Sequence, residues 1–270
     1  MSVVRDPQVQ NLELFFFFAA TILISAAYVF LSGMIEPASG PEAAQTWYAN
    51  KALVIVWAPM LCAVAAALLF RGRSGARMLL QRLLVWRVPL RWWLIALCLP
   101  PLTVLVPGIL LDDLVAGDVF SLIIFWLGYF AFLSLLMLGE EVGWRGYALP
   151  ALQAKMSPFQ ACLLLGCLWG AWHFPVWFGR EFGASGDTGS ALIAMFAGVV
   201  LTLSMTFVMA WLANHTRASI LLAVVFHGGN NASLRLFETP SSSAAYYVLM
   251  LMICAITILV LDRKTFFKAP

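Results

Sequence analysis

The sequence predicts an all-α, polytopic membrane protein of about eight transmembrane helices, some kinked or broken, with a polar site inside the bundle. Three observations predict it. Of the 270 residues, 63% are hydrophobic and 11% are charged, against about 25% charged in an ordinary soluble domain. The water-facing shell of a globule cannot be built from so few charges, whereas a lipid-facing shell can. Eight stretches approach the roughly 20 apolar residues that a helix needs to cross a hydrocarbon core of about 30 Å: 12–34, 52–70, 92–112, 119–139, 159–179, 190–213, 219–237 and 244–261. Lys and Arg are divided unevenly among the connections, 13 on one side and 3 on the other. Length alone allows one domain or two, but helices packed side by side in a bilayer favour a single bundle over 1–270.

Taken in order, the first stretch has no basic leader, short apolar run and small-residue cleavage site, so it is expected to stay as a span. After the second stretch comes 71–93, RGRSGARMLLQRLLVWRVPLRWW, in which arginines alternate with Leu, Val and Trp at near-helical spacing. That pattern suits an amphipathic helix in the membrane interface, with arginines toward anionic head groups; a basic anchoring loop accounts for it equally. The third stretch carries Pro100, Pro101 and Pro107, which predicts a kink or break. With eight spans both termini lie on the side holding 13 basic residues, which the positive-inside rule makes cytoplasmic. The other side has only Lys51, Arg180 and Arg235. The five cysteines, Cys62, Cys98, Cys162, Cys167 and Cys254, all fall in apolar runs without a C-x-x-C pair, and read as core residues rather than a disulfide framework. A net charge of +3 is too weak to point to nucleic acid.

Ionisable groups within apolar spans cost at least about 2.5–3.5 kcal/mol each on insertion scales, and are functional candidates for that reason. Glu140-Glu141-Val142-Gly143-Trp144-Arg145 closes the fourth stretch. On a helix Glu141 and Arg145 share a face and can neutralise one another. Glu140 is rotated by about 100° and has no such local partner; a carboxylate left without one can act as a general base. The plainer explanation is a helix leaving the membrane. His173 lies inside the fifth stretch among aromatics, where a lone histidine is more often a packing residue. His227 and Asn231 in the seventh are four apart, so both can donate toward one point. Gly228 and Gly229 between them allow another backbone to approach; an interhelical hydrogen-bond pair explains the same residues. The third histidine, His215, falls in a short connection. One polar cluster on each of three spans is harder to dismiss than any cluster alone. If Glu140, His173, His227 and Asn231 meet, they form a single buried site, which requires the helix through Glu140 to run on toward Tyr147.

The motifs E-E-x-x-x-R at 140–145, aromatic-x-x-x-His at 169–173 and H-x-x-x-N at 227–231 resemble, in order and spacing, the three signatures of the CAAX protease and bacteriocin-processing (Abi) family. Its best-studied branch is the type II CAAX prenyl endopeptidase, the Ras-converting enzyme. The motifs occupy about a third of the chain, within a region of about 119–235. The second motif usually begins with Phe, where this chain has Trp169, a departure that bears on pocket shape. The resemblance implies an intramembrane endopeptidase acting on prenylated CAAX proteins or peptides at the cytoplasmic leaflet. Glu140, assisted by His173, would activate water; His227 and Asn231 would stabilise the oxyanion; Glu141 and Arg145 would hold the glutamate-bearing helix. Trp144, Trp169 and Trp172 are candidates for a substrate pocket. Partners are then the prenylated substrate and membrane lipids.

Two histidines and a glutamate also make a zinc site of Glu140, His173 and His227 conceivable. There is no H-E-x-x-H, and an amide such as Asn231 is an uncommon zinc ligand, so no metal is expected to be required. Two other readings stay open: a non-enzymatic immunity or scaffold protein of the same family, and a proton-coupled carrier, against which the lack of matched halves counts.

Overall fold

The computed structural model describes residues 6–33, 40–237 and 240–268. Among them the chain is helical nearly throughout: α1 Pro7–Gly33, α2 Pro41–Ile55, α3 Ala58–Gln81, α4 Leu90–Leu111, α5 Val119–Glu141, a π-helical segment Val142–Ala148, α6 Leu149–Gln153, α7 Pro158–Ser185, α8 Thr188–His215, α9 Ile220–Ser233, α10 Pro240–Leu261 and α11 Arg263–Phe266. The starts are written locally. Asp118, Ser157, Asp187 and Ser219 each accept from a backbone N–H in the first turn of α5, α7, α8 and α9, satisfying donors that a helix start otherwise leaves open. The hydroxyl and amide of Ser121 hold the Asp118 carboxyl below the usual carboxylate range.

All eight predicted stretches fall on helices; among the described residues the count of eight spans is not confirmed. Six helical stretches are long and apolar enough to cross a membrane: Pro7–Ser32, Pro41–Leu84, Leu90–Leu111, Val119–Gln153, Pro158–Ser185 and Thr188–His215. The seventh predicted stretch is α9, of 14 residues, which rises only about 21 Å. The eighth is α10, a helix of 22 residues, of which Ala245–Leu261 is apolar. The end of the first predicted stretch, residue 34, lies outside the described residues. The outer faces are apolar: Phe15, Leu110, Phe120 and Phe196 are each at least 70% exposed. A surface of this kind is stable against lipid and not against water, so the protein is an integral membrane protein.

Two local expectations are corrected. The proline-rich α4 is not broken but continuous from Leu90 to Leu111; within it Thr103 Oγ1 donates to the Pro100 carbonyl at 2.7 Å. The backbone instead breaks in α3, at Gly72 (φ 63°, ψ −170°), where only a residue without Cβ sits without strain. The basic segment 71–93 is accordingly not one amphipathic helix. It is the end of α3, a short 3-10 turn over Arg82–Leu84, an irregular stretch, and the start of α4. Arg73, Arg77, Arg87 and Arg91 are exposed there beside exposed Leu84, Trp86 and Leu90, while Arg82 turns inward to donate to the Gly146 carbonyl at 2.8 Å. The cysteines form no disulfide among the described residues, and Cys98 and Cys167 are exposed rather than core.

The short α9 is the hub. It packs against α5, α4 and α8 and touches the π-helical segment, and nearly all of its residues are buried. Its approach to α5 depends on Gly228: a Cβ there would lie 2.1 Å from Ser134 Oγ and 2.6 Å from Ser134 Cα. On the other side α7 lies along α8 through Gly166 and Gly170, whose absent side chains leave room for Leu203 and Thr202. This small-x-x-x-small pairing is the usual route to close helix contact where lipid supplies no hydrophobic drive.

Gly228→Ala gains about 1 kcal/mol of helix propensity but must push against backbone that cannot swing aside, an overpacking cost of about 1–3 kcal/mol. The purified variant in detergent should therefore unfold at a lower temperature than wild type. Gly128→Ala on α5, whose Cβ would meet nothing within 4 Å, should unfold no lower. Equal melting of the two variants would contradict the close α5–α9 approach.

Candidate active site

Glu140 and Glu141 are the last two residues of α5, and both are buried, at 4% and 0% exposure. The helix does not end here. It continues through the π-helical segment into α6, one helical run from Val119 to Gln153, as the meeting of the motifs requires. A π-helical stretch is rare and often found at functional sites; all seven of its residues are buried.

Glu141 Oε1 accepts two charged-group hydrogen bonds, from Arg145 Nη1 at 3.0 Å and from His227 Nδ1 at 2.8 Å. The expected Glu141–Arg145 pair is therefore present, with His227 as a third member that helical spacing could not reveal. Arg145, 1% exposed, also donates from Nη2 to Thr206 Oγ1 on α8 at 3.2 Å. Its guanidinium lies over the Trp169 ring, 4.1 Å from the centroid, a geometry with cation–π attraction.

Glu140 is not without a partner, contrary to the sequence-based expectation. Its Oε2 accepts from the Trp169 indole Nε1 at 2.7 Å, a contact 29 residues away in sequence and invisible to local geometry. Oε1 has no hydrogen-bond partner among the described residues, yet it is not one of the sealed orphan atoms, a set that includes Glu141 Oε2. Of the four carboxylate oxygens, only Glu140 Oε1 is both unpartnered and open.

The histidines are each fixed through Nδ1. His173 Nδ1 lies 2.9 Å from the Trp169 carbonyl oxygen. A carbonyl only accepts, so this nitrogen carries the proton and Nε2 of the neutral ring keeps a lone pair. The ring stacks on Trp177 at 4.1 Å and meets Trp172 edge-on at 4.6 Å. His227 donates Nδ1–H to the Glu141 carboxylate, and its ring stands perpendicular to Trp169 at 5.3 Å. Its only free ring nitrogen is Nε2, which carries a proton only when the ring is cationic.

Asn231 sits one turn beyond His227, as predicted, with Nδ2 3.2 Å from Met137 Sδ; Met137 is one turn before Glu140 on α5. The neighbouring Asn230 was not anticipated. Its Oδ1 accepts from Tyr247 on α10 at 2.7 Å, and its Nδ2 lies 3.5 Å from Asn231 Oδ1. All four predicted residues are thus gathered around α5 and Trp169. Electrostatic reach links Glu140 with His227, Glu141 and Arg145, and His173 with His227 and Arg145.

The three tryptophans named as pocket candidates are all core. Trp144, Trp169 and Trp172 are 0%, 1% and 2% exposed; Trp172 Nε1 donates to Ser25 Oγ on α1 at 2.8 Å, and Trp144 packs against Trp172 and Phe17. A cavity of about 450 Å³ lies instead between α1, α2 and α7, lined by Ala26, Val29, Phe30, Trp47, Phe174, Pro175 and Gly179. It begins one residue beyond His173. Another buried carboxylate, Glu13 on α1, was missed although it lies within a predicted span: it accepts from Tyr147 Oη at 2.6 Å and pairs with Arg71, tying α1 and α3 to the end of the π-helical segment.

Among the described residues, no three His, Cys, Asp or Glu side chains are placed to hold a metal ion. Nδ1 of both candidate histidines and one Glu140 oxygen are already committed, which leaves Nε2 of each ring and the second Glu140 oxygen.

Comparison with known proteins bears on this same region. The family profile described as type II CAAX prenyl endopeptidase Rce1-like matches residues 119–233, which contain every residue of the cluster. Residues 119–233 resemble that family. The Rce1-like segment includes α5, the π-helical segment, α7, α8 and α9, so the motif resemblance to the CAAX protease and bacteriocin-processing family is borne out. A protein named CAAX prenyl protease 2 from Methanococcus maripaludis is 31% identical over 129 residues, 48% of this chain and 48% of the relative. The match thus spans about half the length of that curated relative.

Removing one partner of a buried ion pair costs about 3–5 kcal/mol, because the other charge is left uncompensated. Arg145→Met should therefore lower the unfolding temperature in detergent sharply. Adding Glu141→Gln to it should recover part of the loss, a coupling that a double-mutant cycle measures. Additive losses would show that Glu141 and Arg145 do not act as a pair.

Proposed function

We propose that the protein is an intramembrane endopeptidase that removes the C-terminal tripeptide from prenylated CAAX-type tails. The observation that carries the reading is the single open carboxylate oxygen, Glu140 Oε1, in a buried cluster with two imidazoles that each keep one free nitrogen. The Rce1-like profile and the name of the relative support the substrate class.

In this reading a water sits at Glu140 Oε1, with His173 Nε2 as a second acceptor. As the water oxygen bonds to the scissile carbonyl carbon, its proton passes to Glu140. The carbonyl becomes a tetrahedral oxyanion, which takes hydrogen bonds from His227 Nε2–H and Asn231 Nδ2–H. Collapse breaks the C–N bond, and the proton held by Glu140 passes to the leaving amine. The products are a tail ending in the carboxylate of the prenylated cysteine and a free tripeptide. His227 can donate from Nε2 only as an imidazolium, because Nδ1–H is already given to Glu141. No metal ion takes part in this reading.

A prenyl chain alone holds a protein to the membrane only marginally. An enzyme that accepts it from the bilayer needs an apolar recess, and the cavity between α1, α2 and α7, which Phe174 lines, is within the roughly 300–1,000 Å³ range of small-molecule sites. We place the prenyl chain there. Its mouth lies among residues of α1, α2 and α7 that are apolar throughout.

Glu140→Gln keeps the Trp169 contact but removes the base. It should lower the rate of cleavage of a farnesylated tail peptide by at least about a hundredfold, the scale on which positioned acid–base groups act. The variant should still migrate as a monodisperse membrane protein. Wild type should leave an unlipidated peptide of the same sequence largely intact and should keep its activity in excess chelator. Cleavage by Glu140→Gln at the wild-type rate ends the assignment, and activity lost to chelator and restored by zinc ends its metal-free form.

The excess of Lys and Arg on one side leads us to place both termini in the cytoplasm. A reporter that fluoresces only in the cytoplasm, fused in turn to each terminus, should be bright in both positions. A dark fusion at either end would overturn that orientation.

A further inference from the structure

Resting on the endopeptidase reading above, we propose that Trp169 is a positioning residue: its indole N–H pins one oxygen of the Glu140 carboxylate so that the other oxygen alone receives the catalytic water. The contact has one direction. An indole nitrogen only donates, and at 2.7 Å from Glu140 Oε2 it is a short hydrogen bond. Without it the carboxylate could turn about its last bond and present either oxygen, or neither, to the substrate.

The indole is itself unable to move. It is 1% exposed, with the Arg145 guanidinium on its face at 4.1 Å and His227 against it at 5.3 Å. Gly170, the next residue, lies against Thr202 and Val199 so closely that a Cβ there would approach both within 3.0 Å. The same residue holds His173 through its carbonyl oxygen. Trp169 therefore orients both members of the water-activating pair, the carboxylate through its side chain and the imidazole through its backbone. Only the first of these is lost on mutation. The aromatic residue that opens the second motif is thus more than a wall of the pocket. Phenylalanine fills the same space with no donor, so the Trp for Phe departure adds a hydrogen bond at the base itself.

Trp169→Phe keeps an aromatic face for Arg145 and His227 and deletes the donor. The expected result is a kcat for the farnesylated peptide reduced about ten- to a hundredfold, the range for losing a hydrogen bond to a charged group. KM should stay within about twofold, since uniform binding is untouched. Replacing Trp169 by β-(3-benzothienyl)alanine, which exchanges the N–H for sulfur in an isosteric ring, should give the same fall with the wild-type melting temperature. Trp126→Phe is a matched loss of an indole hydrogen bond between α5 and α9, where Nε1 donates to Ser233 Oγ at 3.0 Å; its kcat should be unchanged. Wild-type kcat in both Trp169 variants overturns the proposal. So does an effect confined to KM, or a fall in kcat that appears only together with a lowered melting temperature. If Glu140→Gln is inactive while both Trp169 variants are fully active, this proposal alone fails; if Glu140→Gln is active, the endopeptidase reading fails with it.

Discussion

The bundle depends on one oxygen atom. Glu141 Oε1 is the acceptor for both Arg145 and His227, and through them it joins α5 to α9, while Arg145 reaches α8 by Thr206 and α7 by the Trp169 ring. Taking a guanidinium and a carboxylate out of water costs several kcal/mol per ion even after relaxation. In hydrocarbon there is no solvent to share the charge, so such a pair persists only where every partner is in place. The consequence is geometric. Four helices can relax only together, because moving any one of them strands a buried charge. A rigid polar centre in an otherwise slippery apolar bundle is what a reaction that needs aligned groups requires.

Alignment of that quality also demands that backbones come closer than apolar side chains normally allow. Gly228 brings α9 against Ser134 of α5, and Gly166 and Gly170 bring α8 against α7. The π-helical segment does the complementary task along α5. Because it winds more widely than an α-helix, it lets one continuous helical run carry Glu140 and Glu141 toward the cluster and Tyr147 toward Glu13 on α1. Short α9 is affordable for the same reason. It is enclosed by α4, α5 and α8, so its ends meet protein rather than lipid, and backbone at membrane depth is tolerated when protein covers it.

Much of this was legible from residues alone, and the reasons are local. Apolar length located every span-like stretch, and the four-residue spacings of Glu141 with Arg145 and His227 with Asn231 survive in the structure because the helix supplies them. What was not legible is whatever depends on distance. The Glu140–Trp169 and Glu141–His227 bonds link residues 29 and 86 apart, and helical spacing is silent about them. The reading that Glu140 stands alone was wrong for that reason. The break at Gly72 rather than at the α4 prolines is another long-range matter, since prolines bend a span only if its neighbours leave room. Glu13 is a different case: a carboxylate inside an apolar run is a signal the sequence does carry, and it was overlooked beside the stronger motif.

Adjacent carboxylates with one sequence context end in opposite states, and the environment alone divides them. Glu141 spends Oε1 on two donors and has Oε2 sealed; it has nothing left to offer a substrate. Glu140, one residue earlier and rotated toward α7, meets a single neutral donor and keeps an open oxygen. Environment assigns different roles to paired carboxylates in acid–base sites generally. Here the division follows from helical rotation. One residue of offset turns Glu141 toward Arg145 and His227 and turns Glu140 toward the indole, so a single-residue slip of α5 in its groove would bring Glu141 to the indole and leave Val142 where Glu141 stands. The close glycine contacts that forbid such a slip are therefore as much a part of the site's chemistry as the carboxylates themselves.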